Sequence, residues 1–329
     1  MCTAVTYQTS GHYFGRNLDL EYAYRETVTI TPRSFPLSFR CVPPLKRHHA
    51  MIGMAYVAEG YPLYYDAVNE AGLGMAGLNF PGYARYQPKA AGKCNIAPFE
   101  LIPWVLGQCG TAAEARHLLK QVNLVNLDFS GDLPLTPLHW LIADRERSMT
   151  VEPLAEGLRI HENPIGVLTN SPPFDFHMTH LRNYMALSRH EPEDHLSDTL
   201  HLTPYSRGMG AMGLPGDLSS PSRFVKAAFT KLNAVSGPSE AESVTEFFHI
   251  LGSVEQQRGC VELDGGAYEI TRYSSCCNLD RGTYYYTTYE NRQITAVELR
   301  RTDLDGCCLV SYPLRDTQQV YYENISPES

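Results

Sequence analysis

The chain predicts an α+β fold: antiparallel sheets laid face to face, with helices packed outside them. Three observations lead there. Short strand-like segments joined by tight turns dominate the beginning, capped amphipathic stretches cluster in the middle, and hairpins return in the last third. Hairpins without regular strand–helix alternation favour antiparallel over parallel pairing. At 329 residues, 43% hydrophobic and 19% charged, the chain has an ordinary globular composition. No linker, low-complexity tract or repeat divides it, so a single domain over 2–329 is expected.

Residues 2–8 read as a strand, Ser10-Gly11 as a two-residue turn and 12–18 as the returning strand. That register sets Thr9 opposite His12 and Cys2 opposite Asp19. Residues 27–31 alternate strictly until Pro32 ends the run. Residues 61–68 and 73–78 flank the turn Asn69-Glu70-Ala71-Gly72 as another hairpin. A helix over 98–106 is expected to kink at Pro103. Thr111 and Glu114 form a capping box for a helix with Ala115, Leu118, Leu119 and Val122 on one face. Strands follow near 148–153 and 158–161, then a helix over 175–188. Ser220 is expected to cap a helix with Pro221 in its first position and Phe224, Val225, Ala228, Phe229 and Leu232 inward. Ser239 and Glu242 open another that ends near Gly252. Strands over 267–275, 283–289 and 293–299 close the pattern.

The chemistry begins at Cys2. Removal of Met1, normal ahead of a small second residue, would leave a thiol and a free α-amino group on one residue. An α-amino group titrates near 7.7–8.0, against about 10.4 for a Lys amine, so it can take the thiol's proton at neutral pH with no His required. The predicted hairpin carries Arg16 and Asp19 toward that residue, where a cation favours thiolate and a carboxylate holds the amine. An ordinary exposed Arg16–Asp19 pair fits the charges equally well.

Composition excludes several other functions. Net charge is −9 with no basic stripe, which argues against nucleic acid. No apolar run approaches the ~18 residues of a membrane helix, and no basic-then-apolar secretory signal leads the chain. The nine cysteines, at positions 2, 41, 94, 109, 260, 276, 277, 307 and 308, include no C-x-x-C pair. Free thiols in a reducing cytoplasm are therefore expected. His48-His49 and the pair His177 and His180 lack Cys or carboxylate partners at metal-ligand spacing, so no metal site is expected. His139 beside Trp140 reads as a hydrogen-bonded core residue.

Two asparagine segments close strands. Asn79 lies in Gly77-Leu78-Asn79-Phe80-Pro81-Gly82, and Asn170 in Leu168-Thr169-Asn170-Ser171-Pro172-Pro173. Neutral amide donors suit a developing oxyanion, although Asn before Gly or Pro is also simple turn chemistry. Arg223 falls in a helix's first turn, against the macrodipole, which fits either a site residue or one reaching into solvent.

Together these segments resemble one family. Met1-Cys2-Thr3, Phe14-Gly15-Arg16-Asn17-Leu18-Asp19, Asn69-Glu70-Ala71-Gly72-Leu73, Gly77-Leu78-Asn79-Phe80-Pro81 and Leu138-His139-Trp140 are similar to motifs of the choloylglycine hydrolases. So are Leu168-Thr169-Asn170-Ser171-Pro172, Phe174-Asp175-Phe176-His177 and Gly213-Leu214-Pro215-Gly216-Asp217 running into Ser220-Pro221-Ser222-Arg223-Phe224. These are the bile salt hydrolases and penicillin V acylases of the N-terminal-nucleophile superfamily.

The resemblance implies a four-layer αββα fold, no cofactor, a cytoplasmic homotetramer and hydrolysis of conjugated bile acids. It makes Cys2 the nucleophile, surrounded by Arg16, Asp19, Asn79, Asn170 and Arg223. It gives Leu18, Leu20, Tyr22, Tyr24, Tyr65, Leu78, Phe129, Leu133 and Leu135 to the substrate pocket, the last three and Tyr65 on pocket loops. The stretch 203–222 matches a segment that in this family reaches a neighbouring subunit. Penicillin V acylase or another N-acyl amide hydrolase is the alternative with the same nucleophile. A non-catalytic carrier of apolar ligands is the alternative of another class.

Overall fold

The computed structural model describes residues 1–324; positions 325–329 of the expected domain lie outside the described residues. In chain order the strands are β1 (Cys2–Gln8), β2 (His12–Leu20), β3 (Thr27–Thr31), β4 (Met51–Ala58), β5 (Tyr61–Asn69), β6 (Gly74–Asn79), β7 (Cys94–Ile96) and β8 (Val122–Leu124). There follow β9 (Leu138–Ala143), β10 (Ser148–Leu154), β11 (Gly157–Glu162), β12 (Val167–Leu168), β13 (Ile270–Asn278), β14 (Thr283–Thr288), β15 (Thr295–Glu298) and β16 (Val310–Pro313). The helices are α1 (Leu101–Gln108), α2 (Ala112–Leu119), α3 (Phe174–Leu181), α4 (Ser220–Asn233) and α5 (Glu240–Gly252).

One antiparallel sheet runs β12-β1-β2-β13-β14-β15, the other β11-β10-β9-β6-β5-β4-β3-β16. The sheets meet through β1 and β2 against β6, while α4 and α5 cover the first and α1 packs on the second. This is the αββα sandwich. Side-chain alternation builds it: Ile52, Met54, Val68, Ala76, Leu78 and Leu141 join the core between the sheets. Their neighbours Met51, Ala55, Ala67, Met75 and Ile142 pack with Leu101, Val105, Ala115 and Leu119 beneath α1 and α2. A strand buried on both faces shows no polar alternation, which is why β4 and β9 escape a pattern search.

The N-terminal hairpin differs from expectation by one residue. Gln8 pairs with His12 and Cys2 with Leu18, leaving a three-residue loop Thr9-Ser10-Gly11. Arg16 and Leu18 therefore share the face of Cys2, and Asp19 comes opposite Met1, whose carbonyl accepts from the Asp19 N–H at 3.0 Å. Every residue of β2 from His12 to Asp19 is buried, so burial alone could not choose between the registers.

The helices bring smaller corrections. Pro103 falls in the first turn of α1, where its missing N–H costs nothing, and the break comes earlier, between a short 3₁₀ turn at Pro98–Glu100 and the α-helix. The helix expected over 175–188 stops at Leu181, followed by a 3₁₀ turn over Arg182–Tyr184. The N-cap of α4 is Ser219, not Ser220, and Leu232 at its far end is exposed. The capping boxes of α2 and α5 form as expected.

Candidate active site

Cys2 sits at the start of β1, buried, with its backbone nitrogen donating to Asn170 Oδ1 at 2.7 Å. Asn170 is delivered by the segment after β12 and fixed from several sides. Its N–H donates to Ser220 Oγ at 2.8 Å, and its side-chain amide donates to the Asn79 carbonyl at 2.7 Å. Its carbonyl lies 2.9 Å from His177 Nε2, so that nitrogen carries the proton. Burial pushes His177 down to about 4, which keeps the ring neutral. Ser220 is thus diverted from capping: its hydroxyl holds Asn170 and donates to Thr169 Oγ1 at 3.0 Å, while Asp217 accepts from Ser219 N and Ser222 Oγ.

Arg223 is fully buried, and it binds four acceptors. Nη1 donates to the Cys2 carbonyl at 2.5 Å and to Thr3 Oγ1 at 2.6 Å, Nη2 to Asn170 Oδ1 at 2.7 Å, and Nε to the Leu218 carbonyl at 2.9 Å. Its place against the helix dipole is explained by this bridge between α4, β1 and Asn170. Burial lowers its pKa, with Asp19 and Cys2 opposing.

Arg16 approaches from β2. Nη1 donates to the carbonyls of Tyr65 (3.1 Å) and Gly77 (2.5 Å), and Nη2 is buried with no hydrogen-bond partner among the described residues. Burial would lower its pKa, but the acidic groups around it, Cys2 foremost and then Tyr273, Asp66 and Asp19, raise it overall. Asp19 is buried; its Oδ1 accepts from Thr271 at 2.6 Å and its Oδ2 has no hydrogen-bond partner among the described residues. Burial raises the Asp19 pKa, against Arg223, the Met1 amine, Thr271 and Arg16. Asn79, at the end of β6, is half-buried, and no hydrogen bond engages its side chain among the described residues.

An apolar cavity of about 300 Å³ adjoins this cluster through Tyr65 and Gly77, the two carbonyls that hold Arg16. Tyr22, Tyr24, Tyr65, Phe129, Leu133 and Leu135 line it, as expected by the family resemblance, although Tyr65 lies on β5 and not on a loop. Leu18, Leu20 and Leu78 pack instead into the core between the sheets and are not among its lining residues. Tyr56, Leu63, Phe99 and Pro134 complete the wall without having been singled out in the sequence. Asp66 was also missed. It lies between the sheets near Arg16, accepting from Tyr273 at 2.6 Å, Tyr284 at 2.7 Å and Ser275 at 3.2 Å. Its partners are over two hundred residues away, so no local pattern announces it.

Fold and cluster together define an amide hydrolase of the N-terminal-nucleophile class. Residues 2–312 match the model of the linear amide C–N hydrolases, choloylglycine hydrolase family, and the chain belongs to that family. It is 56% identical over 324 residues to "Bile salt hydrolase/transferase" of Lactiplantibacillus plantarum, covering 98% of this chain and all of the relative. A crystal structure of conjugated bile acid hydrolase from Clostridium perfringens superposes with TM-score 0.91 at 37% identity, over 98% of this chain and all of that one. Penicillin V acylase from Agrobacterium tumefaciens shares the fold, with TM-score 0.74 at 20% identity over 94% and 90% of the two chains.

Proposed function

We propose that the chain hydrolyses the amide joining a bile acid to glycine or taurine, with Cys2 as nucleophile and its own α-amino group as base once Met1 is gone. The observation that carries this is the Cys2 nitrogen held at 2.7 Å by Asn170, which Arg223 in turn clamps. An amine fixed there can accept the thiol proton while Sγ attacks the amide carbonyl. The uncommitted Asn79 side chain supplies an N–H to the oxyanion, and the buried Arg16 and Arg223 keep the site cationic as negative charge develops. The α-ammonium then protonates the leaving nitrogen, the C–N bond breaks, and an acyl-thioester remains. Water, deprotonated by the same amine, attacks the thioester and returns the thiol. Relatives named hydrolase/transferase fit this scheme, since an amine can intercept the thioester in place of water.

The substrate class is supported by the cavity, whose aromatic and aliphatic walls suit a steroid, and by the names of the relatives. Parallel release assays on glycocholate, taurocholate and penicillin V under reducing conditions test it. Bile salt cleavage well above penicillin V is expected. Preference for penicillin V would overturn the substrate. No hydrolysis, with Met1 shown to be gone, would favour a carrier.

A homotetramer is part of the proposal. Met185, Leu196, Leu200, Leu202, Tyr205 and Met212 are exposed along one extended segment, and a neighbouring copy would cover them. Sedimentation as a monomer would contradict it. The cytoplasm is the proposed compartment, supported by nine cysteines that are all free. No helix among the described residues is long and apolar enough to cross a membrane.

A further inference from the structure

We propose that Arg40 is a positioning residue that clasps the aromatic wall of the cavity, and so sets how tightly a bulky apolar acyl group is bound. The inference rests on the bile-acid reading only for its choice of substrate. Two rings of this wall, Phe99 and Phe129, and a third behind them, Tyr61, come from three parts of the chain. Phe99 and Phe129 stand edge to face with centroids 5.3 Å apart, and Tyr61 lies 6.0 Å from each. Phe129 belongs to the segment between β8 and β9, which also supplies Leu133 and Leu135 to the lining.

The end of that segment nearest β9 is fixed, with Tyr86 Oη donating to the Thr136 carbonyl at 2.8 Å and the Phe80 N–H to the Pro137 carbonyl at 2.7 Å, but its middle, 128–135, has little to hold it. Among the described residues, the hydrogen bond tying 128–135 to a distant part of the chain is the one from Arg40 Nη2 to the Phe129 carbonyl, at 2.7 Å. Its remaining backbone bond, Leu133 N–H to the Ser130 carbonyl, is internal. The same guanidinium lies 5.5 Å from the Phe129 ring centroid and 5.9 Å from that of Phe99. Arg40 is itself anchored: its N–H donates to Glu100 Oε1 at 2.5 Å, and Glu100 Oε2 accepts from Ala97 at 2.9 Å. Glu100 is buried beside Phe99, so one residue joins the 3₁₀ turn before α1 to the loose segment opposite. A planar guanidinium can face two rings and donate to a carbonyl at once, whereas a Lys ammonium offers only a point charge. Arg40 is exposed, and its hydrogen bonds go to Glu100 and Phe129 and to none of the groups around Cys2, which separates it from the chemical step.

The test compares Arg40→Met and Arg40→Lys with the parent chain by glycocholate kinetics and by hydrogen exchange over 127–137. Arg40→Met is expected to raise KM about tenfold with kcat nearly unchanged, the pattern of lost uniform binding. Exchange should accelerate in 127–137 and not elsewhere, with Arg40→Lys intermediate in both. Unchanged KM and unchanged exchange would overturn the clasp. A raised KM with unchanged exchange would overturn it too, because Arg40 would then touch the substrate directly. If the parent chain leaves glycocholate intact, the substrate reading fails while the exchange comparison still decides the clasp.

Discussion

At the scale of residues, the two arginines of the site divide their work differently. Arg223 commits every nitrogen to the framework around Cys2 and Asn170, whereas Arg16 keeps Nη2 buried and, among the described residues, unpartnered. A buried donor without a partner is costly, on the order of 1–3 kcal/mol, and is found where something else completes it. A substrate carbonyl or the thiolate would do so. Arg16, Asp19, Asn170 and Arg223 were legible as candidates because the motifs name them. Ser220 was misread, since a serine beside Pro221 looks like a helix cap and its true partner lies fifty residues earlier. We predict that Cys2→Ser retains the fold, read by circular dichroism, and loses most amidase activity. A hydroxyl lacks the thiolate's nucleophilicity at neutral pH. Near-parental turnover by that variant would remove Cys2 from its role.

Among the elements, the β1–β2 hairpin shows how far local pattern reaches. Its two strands and the place of its turn were evident in sequence, but not the turn's length or the register. A one-residue slip exchanges the faces of a strand, and a polar face would have exposed the error. Here both faces are buried, one against the second sheet and one against α5, so the strand carries no such face. Tertiary packing chooses the register, and Gly15 is part of that choice: a Cβ there would come within 1.9 Å of the Ser275 carbonyl of β13. Gly15→Ala should therefore separate β2 from β13, lowering the thermal midpoint by several degrees and weakening activity through displacement of Arg16. An unchanged midpoint would show that the two strands can part at little cost.

For the whole molecule, the groups that organise the site also set its acid limit. His177, pushed down to about 4 chiefly by burial, refuses a proton that the unfolded chain accepts from about pH 6.5 downward. Stability should therefore fall as pH drops from 6.5 toward 4, on the order of 3 kcal/mol in all. Glu152 adds to this further down. Burial would raise its pKa, but the ring nitrogens of His139, at 3.3 Å, and His161, at 3.5 Å, hold it near 2. The unfolded carboxyl protonates near 4.5, so this contribution is lost between about pH 4.5 and 2. Thermal melts from pH 8 to 3 should show the decline, and His177→Gln should flatten its upper part. A flat profile above pH 5 in the parent chain would contradict the neutral, buried His177. The sandwich as a whole was legible from hairpins bracketing helices. The cross-sheet polar cluster at Asp66 was not, because the residues that build it meet only after both sheets have formed.

The most direct test of Cys2 as an N-terminal nucleophile is to quench glycocholate turnover with acid and map the modified peptide by mass spectrometry. We predict a cholyl group in thioester linkage on a peptide that begins at Cys2, with Met1 absent. An acyl group on another residue, or turnover by a chain that still carries Met1, would contradict it.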